Sequence, residues 1–361
     1  MKIPWALPNI NQDDKSAVLH VLKSNWLTMG PEVKRFEKNL SSYLNIDFAI
    51  GTNTGTGALD IALKCLDITK GDEIIIPALT YIAVGNVVLY NQGIPIFVDV
   101  DKTFNINTSL IEEKITERTK AIINVDFGGN VTNYNELQRI SNEYNIPLIV
   151  DGANSLGSEY HGSKCCTHGL INTTSFHAAK ILTTIEGGMI FTNNKDLYLK
   201  AQAIRSQGEI KKYDHKFLGN NYRMMDIVAG FGNAQFMRFK NTLKNRREKV
   251  AYYKKHLRNV RFPKELKDTI NCNLFFLILT KYRNQLYNYL KAHGIETRIT
   301  YPKPINEQQI FREYSKEVFP MAKELSQKVI SLPLYHTLTK NDQDYIIEKI
   351  NEFMMKKNII N

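Results

Sequence analysis

Short apolar runs that alternate with helix-length amphipathic stretches predict an α/β fold with a mostly parallel sheet. Three observations carry this. FAIG, EIIIPA, IPIFVDV, AIINV and IPLIVD are strand-sized, rich in β-branched residues, and lack the polar alternation of a half-exposed sheet. Stretches of roughly 10–15 residues with apolar positions at helical spacing separate most of them. Glycine, asparagine and aspartate mark many of the joins.

The elements follow in order. NQDDKSAVLHVLKSN (11–25) and PEVKRFEKNLSSYLN (31–45) read as helices, the second with Pro31 at its first turn. FAIG (48–51) is a strand, and TGALDIALKCLDI (56–68) the helix after it. GDEIIIPA gives a turn and a strand, then TYIAVGNVVLYNQG a helix that Gly93 is placed to end. IPIFVDVD is a strand, SLIEEKI (109–115) a short helix, AIINVDF a strand, YNELQRISNEYN (134–145) a helix and IPLIVDGA (146–153) a strand. After Gly187 and Gly188 come the strand MIFT, a helix near 195–205 and a polar loop over 206–223. A helical pattern runs from Met225 to about Arg258, with a densely basic second half read as a solvated face. NCNLFFLILT (271–280) opens a smaller α/β unit, so a large domain over 1–240 and a small one over 241–361 are expected, the boundary lying within 235–260.

Composition limits the function classes. The chain has 361 residues, a formal net charge of +11, 43% hydrophobic and 23% charged residues, an ordinary globular balance. The lysines are dispersed and show no arginine–aromatic array, so the charge does not indicate nucleic acid. Cys65, Cys165, Cys166 and Cys272 form no CxxC pair, which speaks against a metal site or disulfide framework and suits a reducing cytoplasm. The start MKIPWALPNI lacks the apolar core of a signal peptide, and runs such as LFFLIL fall far below the roughly 20 residues of a membrane span. A soluble cytoplasmic protein without membrane or nucleic-acid partners is expected.

In parallel sheets ligands sit at the carboxyl ends of the strands. TNTGTGAL places a Thr/Gly turn between a strand and a helix, where free amides attract a phosphate; Gly55 allows close approach and Thr56 adds a hydroxyl, although N-capping explains the same residues. Asp151 ends an apolar strand and suits either a buried ion partner or a loop cap. Lys180 lies in the mostly neutral run SFHAAKILTTIEGGM, and the chain between Asp151 and Lys180 is long enough for one more strand returning to the same edge. A lysine and a carboxylate meeting there suit pyridoxal phosphate: the lysine for covalent attachment, the aspartate for the ring nitrogen, Ser175 and the 55–57 turn for the phosphate, Tyr81 for the ring face.

With these residues in place the sequence resembles the DegT/DnrJ/EryC1/StrS family of pyridoxal-phosphate-dependent sugar aminotransferases over nearly its full length. NWLTMGPEVKRFE (25–37), TGTGALDIAL (54–63), GDEIIIPALTYIA (71–83), PIFVDVD (95–101), VDGANSLGSEYHG (150–162), SFHAAKILTTIEGG (175–188), LGNNYRMMDIVAGFGNAQ (218–235) and SLPLY (331–335) carry the resemblance. It implies the type I aminotransferase fold and a homodimer with shared active sites. It implies Lys180 and Asp151 as catalytic residues. Gly55, Thr56 and Ser175 match phosphate-binding positions, Tyr81 the stacking aromatic, and Asn154 a position near the cofactor's phenolic oxygen. Asn221 matches an asparagine reaching the phosphate from the other subunit. His177, Arg298 and Tyr301 are candidate substrate contacts.

Three positions depart from the family pattern: Asn154 where glutamine is common, Ile185 in place of the glycine of GEGG, and Asn306 near a common histidine in the segment after YPKP, which is expected to help bind the sugar. Asn154, being shorter, is expected to make a longer or water-bridged contact. The resemblance implies transfer of an amino group from glutamate, through the pyridoxamine phosphate form, to a nucleotide-linked ketosugar. NWLTMGP and SFHAAK resemble members that aminate C4, pointing to an NDP-4-keto-6-deoxyhexose linked to dTDP or UDP; the alternative is a C3-specific enzyme. An intact lysine, aspartate and phosphate set argues against sugar deoxygenation and against a non-enzymatic DNA-binding regulator.

Overall fold

The computed structural model describes residues 2–359. Helix α1 (Gln12–Ser24) starts at a reciprocal cap: Asn11 accepts from the Asp14 amide and the Asp14 carboxylate accepts from the Asn11 amide. Helix α2 (Pro31–Leu44) has Pro31 in its first turn and buries Val33, Phe36, Leu40 and Leu44 along one stripe. Its free N-terminal amides are capped from a distance by Asp226, which accepts from Gly30 at 3.0 Å and from Val33 at 2.8 Å.

The central sheet has seven strands: β1 (Phe48–Thr52), β2 (Glu73–Pro77), β3 (Ile94–Val98), β4 (Thr119–Val125), β5 (Leu148–Asp151), β6 (Ile171–Ser175) and β7 (Gly188–Thr192). Their spatial order is β1-β7-β6-β5-β4-β2-β3. β3, β2, β4, β5 and β6 run parallel, and β7 is antiparallel to both neighbours, β6 and β1. β2 and β5 are buried at every position, as strands covered on both faces must be. Helices α3 (Gly55–Cys65), α4 (Ala83–Tyr90), α5 (Tyr134–Glu143) and α6 (Lys195–Arg205) connect or follow the strands. The strand expected between Asp151 and Lys180 is β6.

The antiparallel β7 decides where the lysine goes. A parallel successor would send the chain back across the sheet. Here β6 turns into β7 at one edge, with Ser175 opposite Gly188, so residues 176–187 stay at the carboxyl ends of the other strands.

Several expectations are corrected. Residues 109–115 form two 3₁₀ turns, Thr108–Leu110 and Glu112–Lys114, rather than a helix. Helix α4 begins only at Ala83, and its left-handed closing residue is Gln92 (φ 59°), not Gly93. Gly93 is needed for space: a β-carbon there would lie 3.1 Å from Val88 Cγ1 and 3.2 Å from the Asp72 carbonyl. The polar loop over 206–223 holds a small ribbon, Glu209–Lys211 against Asp214–His215. The long helical pattern after Met225 breaks into α7 (Asp226–Met237) and α8 (Phe239–His256) at Arg238, whose guanidinium is drawn to the Asn9 carbonyl and the Asp14 carboxylate. The basic residues of α8 are not all solvated. Arg246 is 6% exposed and donates to the carbonyls of Asn273, Leu274 and Leu334.

The core changes within α8. Leu243 packs with Phe36, Phe176 and Phe239 beside the central sheet, whereas Val250 and Tyr253 pack with Phe276, Ile330 and Ile346. That second core is built on β8 (Phe276–Leu279) and β9 (Val329–Leu332), which pair antiparallel, and on helices α9 (Arg283–Ala292) and α11 (Lys340–Ile359), while α10 (Pro320–Lys328), just before β9, packs Ala322 and Leu325 with the central-sheet core. Ile3 belongs to it and bridges Ile295, so the N-terminal segment crosses onto the C-terminal unit. Among the described residues no helix is long and apolar enough to cross a membrane, no cluster of metal-ligating side chains occurs, and all four cysteines are buried and unbridged.

Candidate active site

A cavity of about 550 Å³ opens at the carboxyl ends of the strands. Its lining includes Gly55, Thr56, Tyr81, Asp151, Asn154, Ser175, His177, Lys180, Arg298 and Tyr301, which the sequence reading had singled out.

The floor carries donors of the kind an anion needs. Thr54 caps α3, its hydroxyl accepting from the Gly57 amide at 2.9 Å, and its carbonyl takes the Ala58 amide at 3.1 Å. The amides of Gly55 and Thr56 are the two left without a helical acceptor. Ser175 Oγ accepts from the His177 amide at 3.4 Å, which leaves its own proton to donate. The approach is tight enough to demand glycine: a β-carbon on Gly55 would lie 2.7 Å from Ser175 Cβ. Gly188 is more confined still, with the Thr54 carbonyl oxygen 2.4 Å from where its β-carbon would be.

Lys180 and Asp151 form the chemical pair. Lys180 Nζ donates to Asn154 Oδ1 at 3.1 Å. Burial lowers its pKa to about 8, partly opposed by the Asp151 charge. Asp151 is 5% exposed, and Ala153 is its hydrogen-bond donor among the described residues, at 2.9 Å. Burial raises its carboxyl pKa to about 6, the Ala153 amide and Lys180 opposing and Asp126 adding to the rise. These groups fit pyridoxal phosphate: neutral donors for its phosphate, a carboxylate for its ring nitrogen, and an amine easily brought to its neutral form. The short Asn154 side chain reaches Lys180 directly.

The pH dependence of cofactor loading follows. Only the neutral amine has the lone pair to attack an aldehyde. The rate at which the cofactor-free chain takes up pyridoxal phosphate should therefore rise about tenfold per pH unit below about 8 and level off above it. Stopped-flow absorbance measures this; a rate that keeps rising to about pH 10 would contradict the burial of Lys180.

The aromatic and polar walls differ. Tyr81 is 56% exposed, its ring 6.0 Å from that of Tyr301. Tyr301 also packs edge-on to Phe127 at 5.6 Å, and burial pushes its phenol pKa well up. His177 Nδ1 accepts from the Ala179 amide at 3.1 Å, which places the ring proton on Nε2, 3.7 Å from Glu186 Oε1. Asn221 does not line this cavity. It is exposed, and its carbonyl accepts from Asn53 at 3.3 Å. Asn306 does not line it either. It is 6% exposed and donates to the Glu317 carbonyl at 3.2 Å.

Sequence reasoning missed Trp5, Glu186 and Asp126. Trp5 and Glu186 line the cavity. Asp126 follows β4 and is fully buried, its carboxylate accepting from Thr132, Tyr134 and Ser155. Through Ser155 it fixes the turn that carries Asp151 and Asn154. The signal was present, since INVD closes a strand as LIVD does.

Ile185 now has a physical account. Its φ is 75°, in the left-handed region, and its side chain is 54% exposed. The turn is imposed by Thr183 Oγ1, which accepts from the Ile185 amide at 2.9 Å, and by Thr184 Oγ1, which donates to the Glu186 carbonyl at 2.7 Å. A left-handed L-residue costs about 1–2 kcal/mol, and glycine returns about half of that as chain entropy. Ile185→Gly should therefore leave stability unchanged or raise it by up to about 1 kcal/mol in thermal melts. A loss beyond about 1 kcal/mol would mean that the side chain is packed.

Comparison with known proteins shows what the whole chain is similar to. Residues 8–351 match the profile of the DegT/DnrJ/EryC1/StrS aminotransferase family. The chain is 36% identical to GDP-perosamine synthase of Escherichia coli O157:H7, covering 98% of this chain and 99% of that one. It is 32% identical to dTDP-3-amino-3,6-dideoxy-alpha-D-galactopyranose transaminase of Aneurinibacillus thermoaerophilus, covering 94% of each. The PMP-form structure of the putative sugar aminotransferase Spr1654 from Streptococcus pneumoniae superposes with a TM-score of 0.94 at 27% identity, covering 100% of this chain and 99% of that one.

Proposed function

Because the chain belongs to the DegT/DnrJ/EryC1/StrS aminotransferase family, a family of pyridoxal-phosphate-dependent nucleotide-sugar aminotransferases, we propose that it aminates C4 of an NDP-4-keto-6-deoxyhexose with glutamate as donor. The observation that carries the transaminase reading is one cavity bringing together Lys180, Asp151 and the N-terminus of α3. The choice of C4 rests on the resemblance of NWLTMGP and SFHAAK to C4-type members. A C3-specific reaction is the second reading, favoured by the relative named for a 3-amino sugar.

When bound, pyridoxal phosphate supplies the aldehyde that captures an amine and the ring that stores the electron pair released at the donor's α-carbon. In this reading the chain's own residues do the rest. The amides of Gly55 and Thr56 and the Ser175 hydroxyl hold the phosphate. Tyr81 covers the ring face. Asp151 holds the proton on the ring nitrogen, which a carboxylate buried beside a cation does well. Lys180, once released by the donor, would take the proton from the donor's α-carbon and deliver it to the carbon on the other side of the donor's nitrogen. Asn154 keeps the amine within reach of both positions. His177, Arg298 and Tyr301 contact the sugar nucleotide, and Asn221 reaches the phosphate of a second copy in a homodimer. Residues 1–240 hold the cofactor in this scheme, and 241–361 close the substrate side.

The test is a panel of 4-keto and 3-keto sugars linked to dTDP, UDP and GDP, incubated with glutamate, with mass detection of the aminosugar. GDP belongs in the panel because a relative is named for GDP-perosamine. A product from a 4-keto substrate is expected; products from 3-keto substrates alone would move the assignment to C3.

A further inference from the structure

We infer that Trp5 is a positioning residue that holds the Arg298 guanidinium at the cavity wall, ready for an anionic group of an incoming substrate, a carboxylate or a phosphate. Arg298 Cζ lies 5.7 Å from the centre of the Trp5 ring, within the range of cation–π attraction. The indole is itself held in place. Its Nε1 donates to Ser331 Oγ at 2.9 Å, its ring lies 5.8 Å from that of Phe275, and the Trp5 carbonyl accepts from the Leu334 amide at 3.3 Å. The Arg298 backbone is clamped to the same serine, donating to the Ser331 carbonyl at 3.1 Å and accepting from its amide at 2.7 Å. Indole and guanidinium are thus both referenced to Ser331 in β9.

Both side chains line the cavity that contains Lys180. Among the described residues Arg298 takes part in no ion pair, and the nearby Glu296 is engaged with Lys2 at 3.2 Å. A planar fork of donors, set on an aromatic face and committed to no ion pair among the described residues, with only a longer-range attraction to Glu296, can receive a carboxylate or phosphate in two-point fashion. The α3 N-terminus already provides for the cofactor's phosphate, and Arg298 comes from a separate segment after α9, so its anion is a second one. The inference rests on the proposed reading for its candidates: the carboxylates of the amino donor and the diphosphate of the sugar nucleotide.

The two half-reactions of the holoenzyme separate these sources. Arg298→Gln should raise KM for glutamate, for the keto-sugar nucleotide, or for both by about 10- to 100-fold, with kcat changed far less. A rise in the glutamate arm assigns the carboxylate, and a rise in the nucleotide arm the phosphate. Trp5→Leu should raise the same KM about 3- to 10-fold, and Trp5→Phe, which keeps an aromatic face, should restore most of it. In the Arg298→Gln background Trp5→Leu should add nothing to that KM. Effects that multiply in the double variant, or a Trp5→Leu effect on kcat alone, would overturn the inference.

Should Trp5→Leu fail to fold, fluorescence decides. The chain has two tryptophans, so in Trp26→Phe protein Trp5 is the only indole emitter. Saturating glutamate or nucleoside diphosphate should change its emission when Arg298 is present and leave it unchanged in Arg298→Gln. Emission unmoved by either ligand would overturn the inference. If wild-type protein turns over neither substrate, the functional reading has failed, and the emission experiment still judges Trp5 and Arg298.

Discussion

Lys180→Ala should lower kcat by at least about 10⁴-fold while the protein still binds pyridoxamine phosphate. The two outcomes separate because the residue has two tasks. In the proposed reading its amine attaches the cofactor and then carries a proton between two carbons, and alanine can do neither. The proposed phosphate cradle at Gly55, Thr56 and Ser175 and the Asp151 carboxylate are untouched by the change, so a form of the cofactor that already carries its amine should stay in place. The measurements are turnover with glutamate and a keto-sugar nucleotide, and the absorbance retained after dialysis. Turnover within tenfold of wild type would remove Lys180 from the mechanism; loss of pyridoxamine phosphate as well would make its role structural.

Asp151→Asn should lower kcat by about 10²- to 10⁴-fold and make the cofactor-free protein more stable at pH 7. The second effect follows from the sign of the shift. The folded pKa of about 6 lies above the ordinary value of 3.8, so the folded state binds the proton more tightly than the unfolded chain does. The stabilisation is fully present at low pH, where the group is neutral, and is lost as pH rises through about 6. At pH 7 the buried carboxylate is ionised and costs on the order of 1–3 kcal/mol, which a neutral asparagine avoids. Denaturant unfolding of the cofactor-free protein at pH 7 and pH 4 measures it; the gain should shrink at the lower pH. A variant less stable at pH 7 would mean that Asp151 is kept for structure.

The parallel strands and their helices were legible because their signals are local. Five apolar runs bounded by turn residues leave little choice, and the strands place Asp151, Ser175 and the 54–57 turn at one edge. The direction of β7 was not legible, since MIFT reads alike in either orientation. The break at Arg238 was hidden for a related reason: helical periodicity runs through it, and its cause is a carboxylate on α1. Ile185 and Gln92 adopt left-handed backbone that neither side chain advertises. Trp5 was invisible as a site residue because a lone aromatic near the N-terminus has no periodicity, and its partners, Ser331, Phe275 and Arg298, come from the far end of the chain. Lys180, Asp151 and Ser175 were read from the company they keep. Glu186, next to the glycines in that same stretch, was passed over.

The pairing of β1 with β7 also sets an order of events during synthesis. Phe48 pairs with Thr192, and Thr52 with Gly188 and, through an isolated bridge, with Arg223, so the strand that leads into the proposed phosphate cradle is made early and waits for most of the large unit to emerge. Such long-range pairing is slow, because loop closure must be met before the contact rewards it. A nascent chain that already displays Asp151 therefore has no finished cradle. In the proposed reading, cofactor capture is therefore expected only from a chain whose sheet has closed.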